Sequence, residues 1–463
     1  MTPNSATSSH NVVASRHSAL RHGIALVLLA AITAAVLVHT LISQPMLSHR
    51  GGLGWDGVHY QRMAEQVSLG QQPSENRPNV YRIGTPALVG ALHAAGWVEQ
   101  WTSGFRIVNL VFGCLNVVLV YAIIALLTGP AWGLAGASLY AMHWISPLRL
   151  IVFSPVLTDP AGITFIYLGV LFCLALSTRS LTLSLSLAAV VFVGTLFREI
   201  VAVLPLIYLL SIQPAGALLS SLRQRHWRRL AMVYAPALLP LLGVAGAYLV
   251  VRLLVHVETA EAETFARYGF GKQALFIFWT NSPQFFLHAL FTSFGLLLLF
   301  PLLKWRALAA FLQRHRVLLA TLAIMVPLAY IGGRDIERYI NWAYPFVFVL
   351  IAKAIDAERP SRLLLLSLLA FTAVFACRLP WPIPDYGLYE TSPFPVFTFL
   401  SSAFRYQDLF VLNSDKLTTG KIFYEYLAAA TLLTAALRWT WLSATARRLL
   451  RPAAAARHHE RDC

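Results

Sequence analysis

Charged side chains are scarce in this chain of 463 residues. Asp, Glu, Lys and Arg together make up 12% of it, whereas roughly a quarter is usual for a soluble domain. Hydrophobic residues make up 57%, and the mean hydropathy is +0.64. These values exclude an ordinary soluble domain and indicate an integral membrane protein.

Acidic residues are fewer than basic residues. The chain has 20 Asp and Glu against 36 Lys and Arg, which gives a net charge of +16. In a soluble protein this excess would suggest a nucleic-acid partner. Here the basic residues lie in short clusters between apolar runs, and the retention of Lys and Arg on the cytoplasmic side of a membrane accounts for them. We therefore expect no nucleic-acid partner.

Several kinds of site are missing from the sequence. The four cysteines are scattered, so they form neither a disulfide framework nor a Cys-based metal spacing. The histidines show no H-x-x-x-H spacing, and there is no Walker loop, dinucleotide fingerprint or G-x-S-x-G elbow. We predict no metal-ligating residue and no identifiable cofactor, although a divalent metal remains compatible with the sequence.

Long apolar runs are abundant. A membrane-crossing helix needs about 20 apolar residues, and we predict an all-α fold, a polytopic transmembrane bundle of about twelve spans (range 10–13), forming one domain over 1–463. The first apolar run lacks a clear cleavage site, so we expect it to be retained. The predicted spans are 24–43, 105–127, 131–150, 157–178, 181–197, 200–214, 230–252, 284–303, 317–333, 340–356, 362–378 and 421–443.

Basic loops orient the chain. With both termini in the cytoplasm, every inside connection except the short one at 128–130 is basic, as the positive-inside rule requires. The outer side then holds a first periplasmic loop at 44–104, a loop at 253–283, a last periplasmic loop at 379–420, and short connections near 151–156, 198–199 and 334–339. We expect a bacterial inner-membrane protein whose active face is periplasmic. Segments 58–69 and 86–98 of the first loop predict amphipathic helices at the membrane surface.

All the acid and arginine motifs fall on that outer side, although the carboxylates were not used to orient the chain. Asp56, which begins a predicted helix, can serve either as its N-cap or as a general base that takes a proton from an acceptor hydroxyl. Asp159, in Thr158-Asp159-Pro160, can cap a helix, or it can hold a metal, a hydroxyl or an arginine at a span edge.

The candidate cations have competing interpretations as well. Arg198-Glu199 lies between two predicted spans. In the run 334–339, charges three residues apart can neutralise each other on a helix surface. Alternatively, the two arginines of this run, which follow a Gly-Gly turn, can clamp a phosphate. Arg82 can contribute to the site or anchor the loop at the interface.

Three motifs together resemble a known family. These are Trp55-Asp56-Gly57-Val58-His59-Tyr60, Thr158-Asp159-Pro160 and Arg198-Glu199. The pattern resembles the polytopic GT-C class of glycosyltransferases, which take a sugar from a polyprenyl-phosphate carrier on the outer face. The Trp-Asp-x-x-His element is similar to that of the glycosylphosphatidylinositol mannosyltransferase type, and the run 334–339 looks like segments in bacterial relatives. The chain lacks a second acid beside Asp56 and a C-terminal soluble domain, which leaves metal dependence and acceptor open.

The resemblance implies an inverting hexosyltransferase, for mannose or another hexose. Asp56 would be the general base and Asp159 its helper, while Arg334 or Arg338 would stabilise the departing phosphate, assisted by Arg198 or Arg82. The expected partners are a lipid-linked sugar donor, a glycan, lipid or protein acceptor, and the bilayer. The expected substrate-binding residues are His59, Tyr60, Arg82, Arg198, Glu199, Arg334, Asp335, Glu337, Arg338 and Tyr339.

Two other functions fit the same sequence. A secondary transporter commonly has twelve spans, but it places coupling charges near the bilayer midplane and usually carries related halves. In this chain the acids lie at span edges and the halves do not match. A non-catalytic protein of envelope assembly would tolerate substitution at Asp56 and Arg338.

Overall fold

The structure is a computed structural model. It describes residues 6–76, 78–144, 146–176, 180–213, 227–258, 283–332, 336–380 and 382–383, with isolated positions in 217–224 and 428–439.

The described chain is almost entirely helical, in agreement with the predicted all-α class. Two short strands, β1 (Ser74–Glu75) and β2 (His256–Val257), pair in parallel. The α-helices are α1 (Ala6–Ser43), α2 (Gly57–Ser68), α3 (Gly84–Ala94), α4 (Trp101–Thr128), α5 (Pro130–Met142), α6 (Pro147–Phe153), α7 (Asp159–Ala175), α8 (Leu181–Phe197), α9 (Leu204–Ile212), α10 (Trp227–Tyr234), α11 (Leu238–Leu254), α12 (Pro283–Phe294), α13 (Leu299–Leu303), α14 (Trp305–Arg314), α15 (Arg316–Ile331), α16 (Ile336–Ile340), α17 (Tyr344–Glu358) and α18 (Arg362–Phe371).

Three of the described helical stretches are long and apolar enough to cross a membrane: Ala19–Ser43, Trp101–Thr128 and Leu230–Leu254. A fourth candidate is the pair Ala289–Leu303 and Trp305–Arg314, which is bent by 91°. Several other apolar helices have 10–17 residues. These lengths are consistent with a membrane location, while the count of twelve spans and the sidedness of the loops stay predictions.

One predicted span, 131–150, is two helices in the structure. α5 ends at Met142, and α6 begins at Pro147, where the Ser146 hydroxyl accepts a hydrogen bond from the Arg149 N–H at 3.5 Å. Proline at the first helical position and serine at the cap are both typical of a helix start. The chain therefore breaks before the end of the apolar run, and all seven residues of α6 are buried.

The buried side chain of Arg149 holds α6 in place. Its Nη1 donates to three carbonyl oxygens, those of Met142 at 2.9 Å, Cys377 at 3.0 Å and Arg378 at 3.2 Å. Met142 ends α5, whereas Cys377 follows the π-helical turn Thr372–Ala376 after α18. Arg149 thus joins two distant segments of the chain through carbonyls that lie at or just beyond the ends of helices.

Two helices of the loop 44–104 pack tightly on each other. The predicted amphipathic segments 58–69 and 86–98 correspond to α2 and α3, although α3 ends earlier, at Ala94. A Cβ at Gly90 would lie 2.6 Å from the Ala64 carbonyl oxygen, so this close approach requires glycine. The loop is further tied to the end of α11, because β1 pairs with β2.

Replacing Arg149 tests its part in the fold. We expect Arg149→Met to lower the free energy of unfolding by about 3 kcal/mol or more, because three buried carbonyls lose a charged donor. Unfolding by SDS titration in mixed micelles measures the change. The exposed Arg252 of α11 is the matched control, and Arg252→Met should stay within about 0.5 kcal/mol of wild type. Equal stabilities of the two variants would contradict this role.

Candidate active site

A cavity of about 320 Å³ lies where the loop 44–104 meets α6, α7 and the end of α8. Its volume is within the usual range for small-molecule sites. Apolar side chains of α6 and the first loop form much of the wall, among them Leu150 and Phe153. The polar residues that line it are Asp56, Tyr60, Arg82, Ser154, Thr158, Asp159, Arg198 and Arg338.

Asp56 lines this cavity with an exposed side chain. It occupies the N-cap position of α2, and its backbone carbonyl accepts from the N–H groups of His59 at 3.0 Å and Tyr60 at 3.3 Å. Its carboxylate makes no capping bond. Among the residues that the structure describes, no hydrogen bond or ion pair engages that carboxylate, so it can accept a proton from a ligand.

Asp159 is the ionic centre of the opposite wall. It is the first residue of α7, only 4% exposed, and its Oδ1 lies 2.8 Å from Arg198 Nη1. Its Oδ2 lies 3.7 Å from Arg338 Nε. Arg198 Nη1 also donates to Thr158 Oγ1 at 3.1 Å. One buried carboxylate thus brings two guanidinium groups to the cavity, which offsets the cost of burying its charge.

Arg82 forms the second ionic pair, with Glu199. Its Nε and Nη2 donate to the two oxygens of that carboxylate at 2.9 and 2.5 Å, and its Nη1 donates to the Tyr60 hydroxyl at 2.8 Å. Such bidentate pairs are strong and geometrically specific. Arg82 therefore anchors the loop 44–104 to the connection between α8 and α9, while still lining the cavity.

The ionisation of Glu199 follows from this pairing. Burial alone would raise the pKa of its carboxyl, but the charge and hydrogen bonds of Arg82, together with the charge of Arg198, lower it to about 2. Glu199 lies outside the cavity lining and holds the guanidinium of Arg82 in position.

Some residues predicted for the site lie elsewhere. His59 Nδ1 lies 3.1 Å from Glu75 Oε1, and Arg62 Nη1 lies 3.1 Å from the other oxygen of this fully buried carboxylate. Tyr339 is buried, with its ring 4.5 Å from that of Trp342. Neither His59 nor Tyr339 lines the cavity.

Five of the predicted residues belong to the run 334–339. Arg334 and Asp335 lie outside the described residues, as does the side chain of Glu337. Of that run, Arg338 is the residue that the structure places at the cavity.

Sequence reasoning missed several residues that line the cavity, and two of them adjoin the aspartates. Trp55, 46% exposed, lines the cavity beside Asp56, and its ring stacks on that of His49 at 5.3 Å. Thr158 lines the cavity as well and accepts a hydrogen bond from Arg198. Their adjacency to the two aspartates was the available signal in the sequence.

On the wall of the cavity opposite Asp56, with Glu199 included, the cations outnumber the carboxylates by one. Arg82, Arg198 and Arg338 face the two carboxylates of Asp159 and Glu199, which leaves one positive charge among these five residues. Within the described part of the chain, no three His, Cys, Asp or Glu side chains are grouped so as to hold a metal ion. This wall can therefore bind an anionic group such as a phosphate, with the carboxylate of Asp56 available as a base in the same cavity.

No protein-family model matches the sequence, and no curated protein matches it either. The functional assignment therefore depends on the residues around the cavity.

The depressed pKa of Glu199 predicts a pH-dependent contribution to stability. Because its folded-state pKa is about 2 and its ordinary value is 4.5, the contribution is present above pH 4.5 and is lost as the pH falls towards 2. We expect Glu199→Gln to lower the thermal midpoint most above pH 4.5, with the gap from wild type narrowing in more acidic buffer. Thermal unfolding in detergent at a series of pH values measures this gap. A gap that does not change with pH would contradict the pairing.

Proposed function

We propose that the protein is a membrane glycosyltransferase that transfers a hexose from a polyprenyl-phosphate carrier to an acceptor hydroxyl. The observation that carries the proposal is the shared cavity: the carboxylate of Asp56, free of any capping bond, lies in the same cavity as Arg198 and Arg338. A sugar phosphate that enters such a cavity meets a base and a positively charged wall together. Helices that are long and apolar enough to cross a membrane suit a donor that is itself a lipid.

The reaction is a single displacement. The acceptor oxygen forms a bond to the anomeric carbon while the bond from that carbon to the phosphate oxygen breaks, and the phosphate leaves with the bonding electrons. The acceptor proton passes to the carboxylate of Asp56. Attack opposite the leaving group inverts the configuration at the anomeric carbon.

The arginines have different roles in this scheme. Arg338 and Arg198 stabilise the negative charge that develops on the leaving phosphate, and their positions are set in advance by Asp159. Arg82 acts mainly as a positioning residue, because Glu199 and Tyr60 occupy its guanidinium. Asp159 then serves as the support of the two cations rather than as a second base.

The twelve-span transporter is the competing proposal, since it too would place charged residues in a cavity. It requires the same cavity to open alternately to both sides of the membrane. Flux of a labelled sugar phosphate into proteoliposomes, without formation of a glycosylated product, would support transport and contradict transfer.

Replacing Asp56 tests the role of the base. We expect Asp56→Asn to lower kcat by about 10²–10⁴-fold, because the amide cannot take the proton, while the variant still inserts into the membrane. Transfer of labelled hexose from a polyprenyl-phosphate donor by purified protein measures the rate.

The control for this experiment is Glu99→Gln, which removes an exposed carboxylate from the same outer loop, away from the cavity. It should transfer hexose at the wild-type rate. Full activity of Asp56→Asn would rule out Asp56 as the base.

A further inference from the structure

We propose that the acceptor is a carbohydrate and that its pyranose ring stacks on Trp55. This inference rests on the proposed glycosyltransferase function and names the acceptor that the proposal leaves open. It depends on the placement of an exposed indole beside the proposed base, in one cavity.

Trp55 combines exposure with a fixed position. Its side chain is 46% exposed although it lines the cavity, and it directly precedes Asp56. The imidazole of His49 stacks against the indole, with 5.3 Å between ring centroids and 28° between their planes. An aromatic ring held in this way offers a flat apolar surface to a ligand at little cost in side-chain entropy.

The backbone that leads to Trp55 supports the same role. Arg50, Gly51, Gly52 and Gly54 all have positive φ, so the chain makes a compact turn immediately before the indole. At Gly54, with φ of +70°, any other residue would be strained. Stacking sites require such fixed geometry, because a mobile platform loses binding energy when it is ordered.

The chemistry of a pyranose matches this platform. Its axial C–H bonds present an apolar face with partial positive charge, which suits the negative face of an indole ring. The ring hydroxyls then remain around the edge of the sugar. A hydroxyl at that edge can reach the carboxylate of the neighbouring residue, Asp56, as the transfer requires.

A membrane anchor is the ordinary role of an exposed tryptophan at an outer surface. Trp97 fits that role better, since it is 78% exposed and lies outside the cavity lining. A peptide acceptor commonly binds by pairing with a strand edge. β1 and β2, the two strands of the described chain, have two residues each and do not line the cavity.

The test compares acceptors and variants in one transfer assay. The donor is a polyprenyl-phosphate hexose, and the acceptors are a methyl hexopyranoside series, a serine-containing peptide and diacylglycerol. We expect wild-type protein to use a methyl hexopyranoside in preference to the other two. Trp55→Ala should raise the KM for that acceptor by about tenfold and leave the KM for the donor unchanged.

Two further variants separate stacking from structural damage. Trp55→Phe keeps an aromatic face and should recover most of the acceptor affinity. Trp97→Ala removes an exposed tryptophan of the same loop and should leave both KM values at wild-type levels. Thermal midpoints measured for all variants show whether each is folded.

Several results would overturn the inference. Preference for the peptide or for diacylglycerol would exclude a carbohydrate acceptor. An unchanged acceptor KM in Trp55→Ala would exclude stacking, and equal losses in Trp55→Ala and Trp97→Ala would indicate membrane anchoring. If wild-type protein transfers hexose to no acceptor at all, the proposed function fails, which is a different result from normal transfer without dependence on Trp55.

Discussion

The buried carboxylate of Asp159 is the interaction on which the candidate site depends. It lies at the start of α7, 2.8 Å from Arg198 at the end of α8 and 3.7 Å from Arg338 in α16. A carboxylate in this position is costly without cations, and the two arginines repel each other without the carboxylate. Each member of the cluster therefore requires the others, and three separate segments converge on one wall of the cavity.

The opposite side of the cavity is built on the loop 44–104. The pair between Arg82 and Glu199 joins this loop to the fixed wall, and Tyr60 extends the contact to α2. Asp56 begins the same helix, so the ionic pair also positions its carboxylate relative to the arginines. The proposed base and the proposed phosphate site thus lie on different segments of the chain. The bidentate ion pair between Arg82 and Glu199 connects these segments.

Hydropathy predicted some elements well because it is averaged over the many residues of an apolar run, so single residues change it little. The span 181–197 coincides with α8, whereas 131–150 divides at Pro147, where local capping ends one helix and begins another. The pair between Arg82 and Glu199 could not be predicted, since its members are 117 residues apart and their contact depends on packing. His59 and Tyr60 point about 100° apart on α2, and of these two Tyr60 lines the cavity.

The central claim is that Asp56 and the arginines around Asp159 act on one bound sugar phosphate. A cryo-electron microscopy structure with a non-hydrolysable polyprenyl-phosphate hexose analogue tests this most directly. The account predicts the phosphate in contact with Arg338 or Arg198, and the anomeric carbon facing the Asp56 carboxylate across the space for one acceptor oxygen. A phosphate bound outside this cavity, or a sugar whose anomeric carbon faces away from Asp56, would contradict it.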